Sequence, residues 1–184
     1  MDKAQIQHRP SWDEMFLSVA RECASRSTCL RRKYGSVIVD ADHRIISTGY
    51  NGSPRGCGNC TDIGYCVRKE LNIPSGERYE LCQSVHSEMN ACLNASPELC
   101  KGATLYLYGM DGETGEPLPS SECCLMCKRV IINMMIDRVV SYKDGEIFSV
   151  WRYDLIQQIS ESHLNSIRDI FFKRHLTRNS DTHE

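Results

Sequence analysis

The chain has 184 residues, with 22 basic and 24 acidic side chains and a formal charge of −2 at pH 7. This length suits one domain spanning 1–184, and the near-neutral charge gives no general attraction to a polyanion, so a long nucleic acid is not an expected partner. No run of eighteen apolar residues occurs and the first ten residues are polar, which predicts a cytoplasmic protein without a membrane partner. Eleven cysteines in such a compartment favour metal binding over disulfides.

Periodicity predicts the elements of the first half of the chain. Apolar residues recur at helical intervals after a capping box formed by Ser11 and Glu14, so a helix is expected over about 12–27. Two short β-rich runs, 36–39 and 45–50, flank a turn-type cluster and predict an antiparallel hairpin. Residues 51–84 lack periodicity and carry four cysteines. An irregular loop of this length is usually functional or held by a metal.

Helices and strands alternate in the predicted second half. Helices are expected over 85–95 and 124–135, and strands over 104–108 and 138–142, on the basis of apolar spacing. The order strand, helix, strand favours a parallel pair. Beyond a core of about 11–145, apolar residues at helical intervals predict a C-terminal helical extension over about 147–176.

The strongest chemical signal lies at the starts of two of these helices. His86-Ser87-Glu88 opens one helix, and Cys124-Leu-Met-Cys127 opens the other. Thiolates at positions i and i+3 lie on one face of a helix, close enough to bind one ion. With His86 the set becomes two thiolates, one imidazole and one open position, which is typical of a catalytic Zn2+ rather than a structural one.

Glu88 is expected to lie beside the metal without binding it, provided that it shares the first helical turn with His86. A zinc-bound water has a pKa of roughly 7 and provides hydroxide at neutral pH. This arrangement suits hydroxide attack on C4 of a cytosine ring, with Glu88 taking the proton, protonating N3 and carrying a proton to the leaving amine. The expected enzyme is therefore a zinc-dependent hydrolase acting on a cyclic amidine.

Further segments match a known family from about Trp12 to Tyr142. Besides the two zinc segments they are Ser11-Trp-Asp-Glu-Met-Phe16, Arg26-Ser-Thr-Cys29, Gly49-Tyr-Asn-Gly-Ser-Pro-Arg-Gly56 and Ile131-Ile-Asn133. With them the chain resembles the deoxycytidylate (dCMP) deaminases of the cytidine deaminase superfamily. The resemblance implies an α/β, three-layer fold with a mixed five-stranded sheet flanked by helices. It also implies conversion of dCMP to dUMP and ammonia in pyrimidine nucleotide biosynthesis, a homohexamer, and allosteric control by dCTP and dTTP.

The resemblance also assigns substrate and effector residues by position. Asn51 would contact the deoxyribose or the base, and Arg31 would meet the 5′-phosphate. The loop containing Gly52, Ser53 and Arg55 would hold the triphosphate effector. Each residue has a plainer interpretation, because Asn51 and the loop suit a simple turn and Arg31 belongs to a charge run of the kind that usually faces solvent.

Four cysteines of the irregular loop suggest a second, structural zinc. They are Cys57, Cys60, Cys66 and Cys82, and the first two have zinc-knuckle spacing. Four thiolates would make a closed site. Some family members hold a second zinc in this region, and Cys29 could replace one of the four. The alternative is that all of them are unligated thiols.

Three departures from the family pattern bear on the substrate. Cys123 stands where the zinc motif has proline, Met134-Met135 replaces a small residue and glycine, and the loop 111–122 is longer than in many members. A modified or differently phosphorylated cytosine nucleotide is therefore an alternative substrate. A polynucleotide deaminase would need a basic groove with stacking aromatics. A non-catalytic, zinc-stabilised nucleotide-binding regulator would have no use for Glu88.

Overall fold

The computed structural model describes residues 9–74 and 76–180, with side chains described up to residue 169. The ends of the predicted domain, 1–8 and 181–184, lie outside the described residues. The elements in chain order are α1 (Trp12–Ser25), β1 (Arg32–Val39), β2 (Ile45–Tyr50), α2 (Cys60–Ile63), α3 (Val67–Glu70), a 3-10 helix (Tyr79–Leu81), α4 (Ser87–Leu93), α5 (Pro97–Cys100), β3 (Thr104–Asp111), α6 (Leu125–Asn133), β4 (Arg138–Lys143), β5 (Glu146–Trp151) and α7 (Arg152–Ser180).

The five strands form one mixed sheet in the order β2-β1-β3-β4-β5. Strand β1 runs antiparallel to both β2 and β3, and β5 runs antiparallel to β4. Strands β3 and β4 are parallel, as their connection through a helix predicts. The predicted mixed five-stranded sheet flanked by helices is therefore confirmed.

Alternate residues of the central strands supply two separate cores. Val37 and Val39 of β1 pack with α1, whereas Ile38 between them packs on the opposite face of the sheet. That opposite core gathers buried residues of α4, α6 and α7, including Ala91, Ile131 and Leu155. The result is three layers, with α1 on one face and the helices that carry the zinc motifs on the other.

Residues 146–151 form β5, so the prediction of a helix from residue 147 is wrong at its start. A tight turn at Asp144 and Gly145 joins β4 to β5, and both residues have positive φ, 52° and 84°. Asp-Gly is the sequence preferred for such two-residue hairpins because both positions tolerate a left-handed backbone. The short apolar run after this turn is compatible with the periodicity of a helix and with that of a strand. It forms a strand because the turn directs it back alongside β4.

Helix α7 begins at Arg152 and ends at Ser180, beyond the predicted end at 176. No glycine or proline lies in its 29 residues to stop it earlier. It is attached to the body near its start, where Leu155 is buried and the Lys128 Nζ donates to Gln158 Oε1 at 2.7 Å. Neither α7 nor any other helix in the described part of the chain has an apolar stretch able to cross a bilayer.

One half-buried ion pair ties α1 to the sheet. Arg138 donates to both carboxylate oxygens of Asp13, at 2.7 and 3.2 Å, and Tyr106 donates its hydroxyl to the same carboxylate at 2.9 Å. The side chains of Arg138 and Asp13 are only 27% and 24% exposed. The pair is therefore shielded from solvent, and removing one partner leaves a cation without compensation.

We expect Asp13→Asn to lower the free energy of unfolding by about 2 kcal/mol, because Arg138 loses its counter-charge in a poorly hydrated site. Urea denaturation of both proteins measures this difference. Asp42→Asn is the matched control, since the Asp42 and Arg44 side chains are 69% and 75% exposed. Its expected effect is below about 0.5 kcal/mol. Equal losses in the two variants would contradict this account of the Asp13 pair.

Candidate metal centre and active site

Helices α4 and α6 bring three metal-binding side chains together at their N-terminal ends. His86 is the N-cap residue of α4 and Cys124 that of α6, while Cys127 lies in the first turn of α6. His86 Nδ1 is 3.4 Å from the Sγ atoms of both cysteines. In a tetrahedral zinc site with bonds of about 2.0–2.3 Å, neighbouring ligand atoms are separated by about 3.5 Å. The donor set and spacing therefore fit zinc with one position left open.

A hydrogen bond links the side chains of the two cysteines. A hydrogen bond from the Cys127 thiol, with a further one from His86, lowers the pKa of Cys124 to about 4. The same thiol hydrogen bond and burial raise the pKa of Cys127. His86 also has a raised pKa, chiefly because of its hydrogen bond with Cys124. An ion bound by all three must displace these protons, so zinc binding is coupled to proton release.

Glu88 lies in the first turn of α4 with its side chain buried, and the whole residue is only 5% exposed. Ser87 Oγ donates to Glu88 Oε2 at 3.1 Å and receives a hydrogen bond from Ser36 Oγ at 2.8 Å. This chain of hydroxyls fixes the carboxylate beside the ligands. Among the described residues Glu88 is not part of the three-ligand group, so the geometry meets the condition for a proton carrier that does not bind the metal.

Cys123 occupies the position of the missing proline and is buried against Glu88. Burial raises the pKa of Cys123 well above the ordinary thiol value, and the negative charge of Glu88 adds to the rise. Cys123 is therefore a neutral thiol that donates a hydrogen bond to the carboxylate. Cys124 and Cys127, and not Cys123, form the group with His86.

A cleft with an empty volume of about 700 Å³ opens over this centre. Asn51 lines it and is buried, but its amide is already engaged: Oδ1 accepts from Ser27 Oγ and Tyr34 N, and Nδ2 donates to Arg32 O. Asn51 thus ties β1 to the end of β2, and one amide hydrogen remains for a ligand. Arg31 also lines the cleft.

The loop assigned to an effector lies outside this cleft. Gly52 forms a bridge with Val85, and a Cβ at this position would lie 2.9 Å from Thr28 Oγ1. Ser53 Oγ accepts a hydrogen bond from Gln83 at 3.0 Å, and Arg55 is exposed. The bridge and the hydrogen bond therefore join this loop to the segment that precedes α4.

The four cysteines predicted to hold a second zinc are not gathered as a set. Within the described ranges, no three of their sulfurs belong to a group with ligand atoms within 4.8 Å of one another. Cys57 is exposed. Burial raises the pKa of Cys60, and the neighbouring thiols that raise it further are Cys29, Cys66 and Cys82. The surroundings of Cys60 thus favour Cys29, the alternative ligand, over Cys57.

Two cleft residues were not anticipated from the sequence. The ring of Tyr79 meets the His86 ring edge-on, with centroids 5.1 Å apart. The guanidinium of Arg68 lies over the ring of Tyr79, 4.7 Å from its centroid. Both residues come from the aperiodic segment 51–84, where no pattern distinguishes a buried arginine from an exposed one.

The zinc ligands and Glu88 fall within a recognised sequence family. Residues 10–143 match the family described as the cytidine and deoxycytidylate deaminase zinc-binding region. The chain belongs to the cytidine and deoxycytidylate deaminase family. Strand β5 and helix α7 lie beyond the matched region of this deaminase family.

Individual relatives are named deoxycytidylate deaminase. The protein from Mycobacterium phage D29 is 39% identical over 142 residues, covering 74% of this chain and 98% of the phage protein. That of Schizosaccharomyces pombe is 38% identical over 133 residues, covering 72% of this chain but 37% of the yeast protein. The chain thus spans little more than a third of this yeast relative.

The deaminase fold also appears among solved structures. The dCMP deaminase of cyanophage S-TIM5 in apo form has a TM-score of 0.51 at 23% identity, covering 83% of this chain and 94% of the phage chain. The same phage enzyme in complex with dCMP and dUMP has a TM-score of 0.52 at 22% identity. At these identities the likeness is one of fold.

Proposed function

We propose that this chain catalyses the hydrolytic deamination of dCMP to dUMP and ammonia, with zinc held by His86, Cys124 and Cys127. The observation that carries the proposal is a buried carboxylate, Glu88, beside a three-ligand centre at an open cleft lined by arginine side chains. The names of the relatives at 38–39% identity support dCMP as the substrate.

In the proposed reaction Glu88 transfers the protons, and neighbouring side chains hold it in position. Zinc, when bound, supplies a water of lowered pKa and polarises the reacting centre. Glu88 accepts one proton of the attacking water and delivers it to ring N3, then takes the remaining proton from the hydroxyl at C4 and carries it to the departing amine. Ser87 and Cys123 hold the carboxylate by hydrogen bonds, and burial keeps bulk water from competing for these protons.

Ammonia release from a panel of substrates tests the proposal. Zinc-loaded protein is offered dCMP, deoxycytidine, cytidine and dCTP, and dCMP is expected to be converted fastest. Preferred turnover of a modified cytosine nucleotide would keep the reaction and change the substrate. Absence of turnover by protein with bound zinc would contradict a deaminase of free cytosine nucleotides.

Regulation and assembly complete the proposal. The family resemblance supports a homohexamer of single-domain subunits, activated by dCTP and inhibited by dTTP, with Gly52, Ser53 and Arg55 contacting the effector. None of the eleven cysteines forms a disulfide in the described chain, which supports a reducing cytoplasm. Light scattering gives the subunit number, and initial rates with each triphosphate test the regulation.

A second, structural zinc held by loop cysteines is part of the same proposal, with Cys29, Cys60, Cys66 and Cys82 as ligands because the other three thiols act on the pKa of Cys60. In the described chain no three of these four sulfurs lie within 4.8 Å of one another, so zinc binding would have to draw them together. Elemental analysis of the wild type is expected to give two zinc ions per chain. Cys60→Ser should lose one ion, because three thiolates no longer close the site. Cys57→Ser is the matched control and should retain both. One zinc per wild-type chain would contradict the second site.

A further inference from the structure

Arg68 is a buried arginine of the cleft with unused hydrogen-bonding capacity. The residue is only 9% exposed and lines the same cleft as His86 and Glu88. One of its nitrogens, Nη2, donates to Pro74 O at 2.9 Å. Its Nε is buried and has no hydrogen-bond partner among the described residues. Because a buried donor on a charged group is costly when unpaired, an acceptor from a ligand in the cleft would satisfy it.

Arg31 is held next to Arg68 by the same stretch of backbone. Arg31 Nη1 donates to Ile73 O at 2.8 Å, and Arg68 donates to the adjacent carbonyl of Pro74. Ile73 N in turn donates to Arg68 O at 2.9 Å. In the part of the chain that the structure describes, neither guanidinium forms an ion pair with a carboxylate. Two neighbouring cations that are not ion-paired to a carboxylate can bind an anion.

The position of Arg68 relative to the metal centre suits a nucleotide. One aromatic ring, Tyr79, separates its guanidinium from the imidazole of His86. A cytosine ring that reacts beside Glu88 has its phosphate on the far side of the sugar. The phosphate therefore lies away from the metal ligands, and Arg68 and Arg31 line the same cleft and can supply donors to it.

We propose that Arg68, together with Arg31, binds the 5′-phosphate and is a specificity-determining residue for nucleoside monophosphates. This inference rests on the proposed function of the site. The phosphate supplies acceptors to the planar guanidinium, including its buried Nε, and neutralises the two adjacent positive charges. A nucleoside without phosphate leaves these groups unpaired and is a poorer substrate.

Comparing dCMP with deoxycytidine separates phosphate binding from a structural role. Arg68→Gln is expected to lower kcat/KM for dCMP by roughly 10- to 100-fold, mainly through KM, and to lower kcat/KM for deoxycytidine much less. The kcat/KM of Arg68→Lys for dCMP should lie between those of the wild type and Arg68→Gln, because lysine keeps the positive charge and lacks the planar N–H donors of the guanidinium. Lys69→Gln is the matched control: this exposed neighbour pairs with Glu113, and neither substrate should be affected.

Each outcome decides the assignment. Equal losses for both substrates in folded Arg68→Gln and Arg68→Lys would overturn phosphate binding and assign Arg68 a structural role. If Arg68→Gln does not fold, the Arg68→Lys comparison alone decides. Wild-type protein that converts deoxycytidine as well as dCMP would overturn phosphate recognition while the deaminase remains. If neither is converted, the proposed function fails, and titration with inorganic phosphate decides: binding lost in the variants supports the site, and no binding overturns it.

Discussion

Replacing Glu88 by glutamine is expected to lower dCMP turnover by at least about 1,000-fold while zinc remains bound. Glutamine fills the same space and accepts the hydrogen bond from Ser87, but its amide cannot take up and release protons at neutral pH. Because the reaction needs protons at N3 and at the leaving amine, the loss falls on kcat. Single-turnover rates and zinc content measured on the same preparation separate chemistry from metal binding.

Glu122→Gln is the matched control for Glu88. Both carboxylates line the cleft, but Glu122 is about half exposed and pairs with Lys143 at 3.3 Å. Its change should alter turnover by less than about tenfold, since an exposed pair contributes little. Substantial activity in Glu88→Gln would refute the assigned proton path. Loss of zinc from that variant would instead show that Glu88 supports the metal.

Gly49→Ala is expected to destabilise the fold and the metal centre together. A Cβ at Gly49 would lie 2.3 Å from Ser87 O and 2.4 Å from Ala91 N, which are backbone atoms of α4. Backbone cannot yield as a flexible side chain does, so α4 must move away from β2. We expect the free energy of unfolding to fall by about 3 kcal/mol. Because His86 and Glu88 lie at the start of α4, zinc affinity should also fall.

Gly58→Ala tests whether that loss is specific to the helix contact. A Cβ at Gly58 would meet only the end of the Ile63 side chain, at 3.4 Å. The expected change in the free energy of unfolding is below about 0.5 kcal/mol. Denaturant titrations combined with competition by a zinc chelator give both quantities. An unchanged zinc affinity in Gly49→Ala would show that α4 accommodates the methyl group without moving its first turn.

The fold and the metal centre were predictable because their signals are local. The three side chains that could hold a metal ion, and Glu88 beside them, lie at the starts of helices with fixed spacing, so short segments suffice to predict their grouping. The mixed five-stranded sheet followed from the resemblance, and its parallel pair from a strand, helix, strand order. Strand β5 was missed although Asp144-Gly145 signals a hairpin, because the apolar residues after it continue into the helical pattern of α7.

The part of the cleft that Arg31 and Arg68 line could not be predicted in the same way. The segment 51–84 has no period, and its arrangement depends on contacts between distant residues. The bond from Thr61 N to Thr28 O, for example, joins α2 to the segment that contains Cys29. Arg68 likewise reaches the cleft only because the turn at Ile73 and Pro74 places it beside Arg31. Such contacts have no signature in the sequence.

The ligand arrangement makes the ion a cross-link as well as a reagent. His86 and Cys124 are separated by 38 positions along the chain, and an ion bound to both closes the intervening segment, including β3, into a loop. A link of this kind removes conformational freedom from the unfolded chain, as a disulfide does. Stability then rises with the logarithm of free zinc above the dissociation constant. Metal supply would therefore govern how long the folded enzyme survives in the cell as well as how fast it works.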